Sequence, residues 1–429
     1  MTQESDITTI PTSGIPYIDA LLGDGPQWNY LTPDTPNTLS YTFSIASGNQ
    51  ADVSNQQAFN NTQMDATRQI LNYISNLTGI TFKETSDGDN AQIHFSSIDI
   101  TGGSTAGLTS WGYSYTVDGN ETITSYSVFA YVYLDNVEWL AQNSSLQAGS
   151  SGYETLLHEM GHALGLKHPF EGTVTLPDNE DNTSNTLMSY TSNGGPYSTF
   201  NSYDIAALNW IYGGDGLAGN LGIGSISGGR YWTGLESNDT LKGETGNDYL
   251  DGGSGIDTAV YDKAHAQYTI SVNGSIHEIR DNSSGETDTL SNIERLDFSD
   301  ASVALDLEGH AGTTAKIIGA VFGAEAVSNK KFVGIGLQFL DGGSSVEEVA
   351  QLALNAKLGK NFSSLDEINL LYQNLVGITP SAAAQDHWES TISSGQYTHA
   401  SLALFAADTN FNTNNIDLVG LADTGLGYI

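Results

Sequence analysis

Apolar positions in the first half of the chain repeat with two different periods, and each period predicts a different element. Over residues 56–77, Phe59, Met64, Ile70, Leu71, Ile74 and Leu77 recur at roughly every third or fourth position. That is the stripe of an amphipathic helix, and Gly79 just beyond it is a natural stop. Two short β-prone runs follow at residues 80–83 and 92–95. The Ser-Val-Phe-Ala-Tyr-Val-Tyr-Leu of residues 127–134 predicts a third strand. Helical spacing returns with Leu156, Leu157, Met160, Ala163 and Leu164. Ser202 is placed to cap a further helix over residues 203–212, with Asp204 in its first turn, where a negative charge meets the positive end of the helix dipole. Gly213-Gly214-Asp215-Gly216 reads as a domain boundary.

Past that boundary the period changes to nine. Blocks starting at Gly234, Gly243 and Gly252 each carry an aspartate at the sixth position: Asp239, Asp248 and Asp257. Each carries an apolar residue at the eighth: Leu241, Leu250 and Ala259. The pattern resembles the Gly-Gly-x-Gly-x-Asp nonapeptide of RTX proteins, which winds into a calcium-binding parallel β-roll. Glycines permit the tight turns, aspartates offer hard oxygens to calcium, and the eighth positions stack as a thin core. Only the third block carries the motif in full. Glu244 interrupts the second, and Leu235 and Ser237 depart in the first, so one to a few structural Ca2+ ions are expected. Gly243 and Gly252, which open the second and third blocks, belong with Asp239, Asp248 and Asp257 to the predicted calcium set.

Residues 268–272 and 276–280 alternate about Asn273-Gly274, a hairpin signal. The segment at 288–298, Asp-Thr-Leu-Ser-Asn-Ile-Glu-Arg-Leu-Asp-Phe, resembles the one that follows RTX repeats in exported bacterial proteins. Residues 346–358 and 365–375 read as helices, and His387-Trp388, Gly395 and residues 400–407 resemble a helical module of large bacterial surface proteins. His94 falls within a predicted strand and reads as a strand residue rather than a ligand, and His310, His387 and His399 lack ligand spacing and read as structural. The implied organisation is three domains, at 1–220, 221–308 and 309–429.

Composition narrows the partners. Fifty acidic residues against 13 basic ones give a net charge of −37. Such a balance excludes nucleic acid and anionic membrane surfaces, whose phosphates demand basic patches, and favours cations. There is no cysteine, which fits export that bypasses an oxidising compartment. Residues 1–19 carry no basic leader and no apolar core, so they do not read as a secretory signal. No apolar run is long enough for a membrane-spanning helix.

The sharpest chemistry lies in His158-Glu159-Met160-Gly161-His162-Ala163-Leu164-Gly165-Leu166-Lys167-His168. Two histidines four apart share one helical face, and both can reach a single ion. Gly165 can take the left-handed turn that brings His168 back to it. Three protein ligands leave a position open for water, as in catalytic rather than structural zinc sites. Glu159, next to the first ligand, is placed to hold that water instead of binding the metal.

With Thr186-Leu187-Met188-Ser189-Tyr190 downstream, the chain resembles the metzincin zinc endopeptidases of the serralysin type. Tyr17-Ile18-Asp19-Ala20-Leu21-Leu22, Trp28 and Tyr41-Thr42-Phe43 resemble the entry to their catalytic domain, and Tyr203-Asp204-Ile205-Ala206-Ala207-Leu208 its closing helix. The resemblance implies an α+β metzincin domain followed by a short calcium-binding parallel β-roll with a strand-rich extension and a helical C-terminal domain. It implies one catalytic Zn2+ held by His158, His162 and His168, with Tyr190 as a further, movable ligand and catalytic partner. Met188 becomes the apolar floor of the Met-turn, and Glu159 the general base for metal-activated water attacking peptide bonds. Substrates would be proteins or peptides. The RTX resemblance implies type I secretion machinery as partner, directed by a C-terminal signal around residues 417–421, and an extracellular location that admits the bacterial cell surface as a further partner. A second reading stays open: a surface-layer or adhesion-type calcium-binding scaffold, or a protease specialised for the cell's own surface proteins. The intact Glu159 speaks against a bare scaffold.

Overall fold

The computed structural model describes residues 2–32, 35–225 and 227–429; in the C-terminal tail the side chain of Val419 lies outside the described set. The chain divides into two compact units, Met1–Thr233 with Glu244–Tyr249, and Gly234–Gly243 with Leu250–Ile429.

In the first unit the long helix α1, Asn61–Thr78, starts where the Asn60 side chain accepts the Gln63 N–H at 3.0 Å. It stops at Gly79, whose φ of +75° is left-handed. Its stripe residues Ile70, Leu71 and Ile74 are buried, as the spacing requires. Five strands form one sheet: β1 Thr38–Thr42, β2 Thr81–Glu84, β3 Ile93–Ile98, β4 Gly107–Val117 and β5 Ile123–Asp135, in the order β2-β1-β3-β5-β4. All pair in parallel except β4, which runs antiparallel to β5 at the sheet edge. Every residue of β3 is buried, His94 among them. The run read as a strand at 127–134 is the second half of the longer β5. Strand β4 carries Gly, Ser, Thr and Tyr with little apolar alternation, so its sequence gives no strand signal.

Helix α2, Ser151–Ala163, packs against β4 and β5. Ser150 caps its start by accepting the Tyr153 N–H. Its last carbonyls are taken up by side chains: Trp28 Nε1 donates to Ala163 O at 2.7 Å and the Tyr212 hydroxyl donates to Leu164 O at 2.8 Å. Helix α3, Ser202–Tyr212, is capped by Asn201, one residue earlier than expected. The reason is Asp204: its carboxylate accepts the Asn201 N–H, which fixes the residue before Ser202 as the boundary.

In the second unit, β6 Thr240–Leu241 and β7 Thr258–Tyr261 pair in parallel, Thr240 opposite Thr258 and Leu241 opposite Ala259. The offset of eighteen residues is two nonapeptides, one full turn of a roll. The eighth-position residues Leu241, Leu250 and Ala259 are all buried. Strands β8 Tyr268–Asn273, β9 Ile276–Asp281 and β10 Thr287–Ser291 follow as an antiparallel run. Asn273 pairs with Ile276, so the tight loop is Gly274-Ser275, one residue past the expected turn, with Gly274 at φ +69°. Strand β11, Arg295–Phe298, continues the parallel register from β7. Strands β12 Ala301–Ala304 and β13 Leu426–Tyr428 add to it antiparallel.

Between β12 and β13 the chain is helical. Helix α4, His310–Phe322, contributes apolar residues to three separate clusters: Ala311, Ala315 and Ile318 to one, Ile317 and Val321 to a second, Ala320 to a third. The helices Lys330–Asp341, Val346–Leu358, Ser364–Val376 and His399–Ala407 supply the partners. Arg295, almost fully buried, reaches Asp306 at 2.5 Å and both carboxylate oxygens of Asp341 at 2.8 and 2.9 Å. That network ties β11 to the helices within this unit. His310 joins it through Asp341 and His399 pairs with buried Glu367, so both histidines are structural.

Candidate metal centre

Helix α2 presents His158 and His162 on one face, and their rings lie 4.9 Å apart. After Leu164, Gly165 adopts φ +97° and the chain reverses. The return is pinned to residues 20–23: Lys167 N–H donates to Leu21 O at 2.8 Å, and Gly23 N–H to Gly165 O at 2.8 Å. This brings the His168 ring to 4.6 Å from that of His162 and 5.4 Å from that of His158. One donor nitrogen from each ring lies within 4.8 Å of the others. The Nε2 atoms of His162 and His168 are 3.1 Å apart, close to the roughly 3.3 Å edge of a tetrahedron built on zinc–nitrogen bonds of about 2.0–2.1 Å.

The other ring nitrogens set the tautomers. Leu187 O lies 2.7 Å from His158 Nδ1, and Leu166 O lies 2.9 Å from His162 Nδ1. A carbonyl only accepts, so each Nδ1 carries the proton and each Nε2 keeps its lone pair for a cation. Burial pushes His158 down to about 3 and His162 down to about 4. Both imidazoles are therefore neutral at physiological pH, as metal ligands must be. Glu171 Oε1 lies 3.0 Å from His168 Nδ1, a carboxylate behind the third ring. The donor set, its spacing and its protonation fit zinc.

Glu159 is buried beside the cluster, and burial pushes its carboxyl up to about 8. The Thr109 hydroxyl of β4, 2.7 Å from Oε2, opposes that. A divalent cation nearby would draw the group back toward its ionised form. Space for this carboxylate comes from Gly107: a Cβ there would sit 2.8 Å from Glu159 Oε1 and 2.7 Å from its Cγ.

Met188 is fully buried beneath α2. A Cβ on Gly161 would come within 2.6 Å of the Met188 sulfur, so the glycine inside the histidine motif makes room for the methionine. The turn carrying Met188 is anchored by Asp204. Its carboxylate accepts the Thr186 hydroxyl at 2.5 Å and the Leu187 N–H at 2.8 Å, and Thr186 Oγ1 in turn accepts the Met188 N–H at 3.0 Å. Tyr190 is exposed, its ring 4.6 Å from His168 and 6.1 Å from His158. The zinc set read from the sequence is thus gathered in one place. Thr109, Asp204, Glu171 and the carbonyls of Leu187 and Leu166 are additions. Asp204 shows in the sequence as a helix-start charge within the closing-helix segment, and the others carry no sequence signal.

The predicted calcium residues fall in both units. In the second, Asp257 Oδ1 accepts the Asp239 N–H at 2.7 Å, and Asp239 Oδ2 accepts the Leu235 N–H at 2.7 Å. Asp257 Oδ2 is buried with no hydrogen-bond partner among the described residues. A Cβ on Gly252 would lie 2.6 Å from it, so the glycine permits the close approach. In the first unit, Asp248 is buried and accepts the Arg230 N–H at 2.7 Å. Burial pushes Asp248 and Asp257 up to about 6. Carboxylates buried at such cost fit a cation held close by. Gly243 opens the second repeat, two residues past the end of β6.

Comparison with known proteins agrees with these features. Residues 35–187 match the family described as Matrixin, and residues 233–259 match the RTX calcium-binding nonapeptide repeat. The chain is 28% identical to Serralysin of Proteus mirabilis over 243 residues, covering 48% of this chain and 47% of that protein. It is 28% identical to Serralysin G of Dickeya chrysanthemi over 200 residues, covering 41% and 38%. It is 27% identical to the metalloprotease AprA of Pseudomonas entomophila over 228 residues, covering 45% and 42%. The chain thus spans less than half the length of these curated relatives. The two family matches and these relatives support a serralysin-type metzincin, with a matrixin domain that implies catalytic zinc and repeats that imply structural calcium.

Proposed function

We propose that this protein is a calcium-stabilised zinc endopeptidase that hydrolyses peptide bonds in protein substrates. The carrying observation is the convergence of three imidazole donors within 4.8 Å, with Glu159 next to His158 on α2. Zinc, when bound, acidifies a water toward neutrality and polarises the substrate carbonyl. The protein's own groups do the rest. Glu159 takes the proton of the attacking water and delivers it to the leaving amine. Thr109 keeps Glu159 oriented between those two events. Tyr190, exposed and beside His158 and His168, donates its hydroxyl to the oxygen that develops negative charge. Leu187 O and Leu166 O hold two of the ligand rings in the required tautomer.

Strand β4, open at the sheet edge beside α2, supports an extended polypeptide as the substrate. We further propose export by the type I route to the extracellular space; the RTX repeats and the strongly acidic, cysteine-free composition support it. Purified protein should bind one zinc and cleave casein, and Glu159→Gln should lower turnover by orders of magnitude while keeping the zinc. A Glu159→Gln protein that cleaves casein at the wild-type rate overturns the assignment.

A further inference from the structure

Large apolar side chains on a surface are usually scattered and partly folded down. Phe170 is neither. It is 43% exposed, yet its ring lies parallel to that of the metal-centre histidine His168, 5.1 Å away at 4°. It also lies 5.2 Å from the exposed Tyr190 ring. The loop that carries it is held firmly. Lys167 Nζ donates to Ala20 O at 2.5 Å, Glu171 O at 2.6 Å and Val174 O at 3.2 Å. The Leu176 N–H closes the loop onto Pro169 O at 2.9 Å. Phe170 is therefore displayed by a pinned loop, and its free face is preorganised beside His168 and Tyr190.

We propose that Phe170 is a specificity-determining residue that forms an aromatic wall for the substrate side chain next to the scissile bond, favouring large apolar or aromatic residues there. The inference rests on the zinc-peptidase reading above. A ring with this much free surface can shield a good part of an incoming aromatic side chain. One such contact discriminates about tenfold between a large apolar side chain and a small one.

The test uses the full-length, zinc- and calcium-loaded protein and two dipeptide hydroxamates that differ only in carrying phenylalanine or alanine beside the metal-binding group. Calorimetry should give wild-type protein about tenfold tighter binding of the phenylalanine compound. In Phe170→Ala that ratio should fall close to one, and in Phe170→Leu it should stay in between. A cleavage-site profile on a peptide library should lose its aromatic preference in parallel. Equal affinity for both hydroxamates in wild-type protein, or a preference that survives Phe170→Ala, overturns the proposal while leaving the peptidase reading intact if casein is still cut. Failure to bind either hydroxamate overturns both.

Discussion

Asp204 is the residue whose removal tests most of this structure at once. Its fully buried carboxylate holds the Thr186 hydroxyl, the Leu187 N–H and the Asn201 N–H. Through Leu187 it positions the carbonyl that orients His158. Asp204→Ala leaves a buried amide, a half-buried amide and a buried hydroxyl without their acceptor. At about 1–3 kcal/mol each, partly offset by relief of a buried carboxylate, the net loss is about 3 kcal/mol. For a unit of this size that lowers the melting temperature by roughly 6–12 °C. Loosening an outer-shell partner of a metal ligand should also weaken zinc binding about 10- to 100-fold. Scanning calorimetry in excess calcium reads the first effect, and competition with a chromophoric zinc chelator reads the second. An Asp204→Ala protein that melts within a degree of wild type and binds zinc equally well refutes the reasoning.

Other outcomes follow from the same packing. Gly161→Ala gains helix propensity of about 1 kcal/mol but drives a methyl into the Met188 sulfur, so it should destabilise by about 1 kcal/mol or more, read by urea unfolding. Thr109→Val removes the hydroxyl that donates to the Glu159 carboxyl, and kcat should fall several-fold while zinc content stays at one per chain. Withdrawing calcium leaves the buried Asp257 carboxylate without a cation, so far-UV circular dichroism should show loss of β-structure, and Asp257→Ala should raise the calcium needed to restore it. In the helical part, burial pushes Glu367 from 4.5 up to about 7. The fold favours its neutral form, so that stability is complete below about 4.5 and is lost as pH rises through 7. Glu367→Gln should flatten this slope when unfolding is followed by Trp388 fluorescence at pH 5 and pH 8.

Local rules made part of this molecule legible in advance. Histidines at the first and fifth positions of an eleven-residue run, with a glycine before the third, can meet only if the run is a helix that ends in a left-handed turn; Gly165 supplies it. A repeat of nine implies a stacked coil, and the pairing of Thr240 with Thr258 follows from it. What escaped was held by long-range or main-chain contacts. Strand β4 owes its place to pairing with β5 along its length and to Glu159 beneath Gly107, not to its own apolar pattern. Leu187 and Leu166 act through carbonyls, which any residue could offer. Asp204 looked like a helix-start charge because the turn it anchors lies 17 residues away in sequence.

The account stands on one ion shared by His158, His162 and His168. X-ray absorption on zinc-loaded protein tests it most directly. One equivalent of zinc per chain with about three imidazole nitrogens at about 2.0–2.1 Å is the predicted result. Zinc that binds just as tightly after all three histidines are replaced by alanine would contradict it.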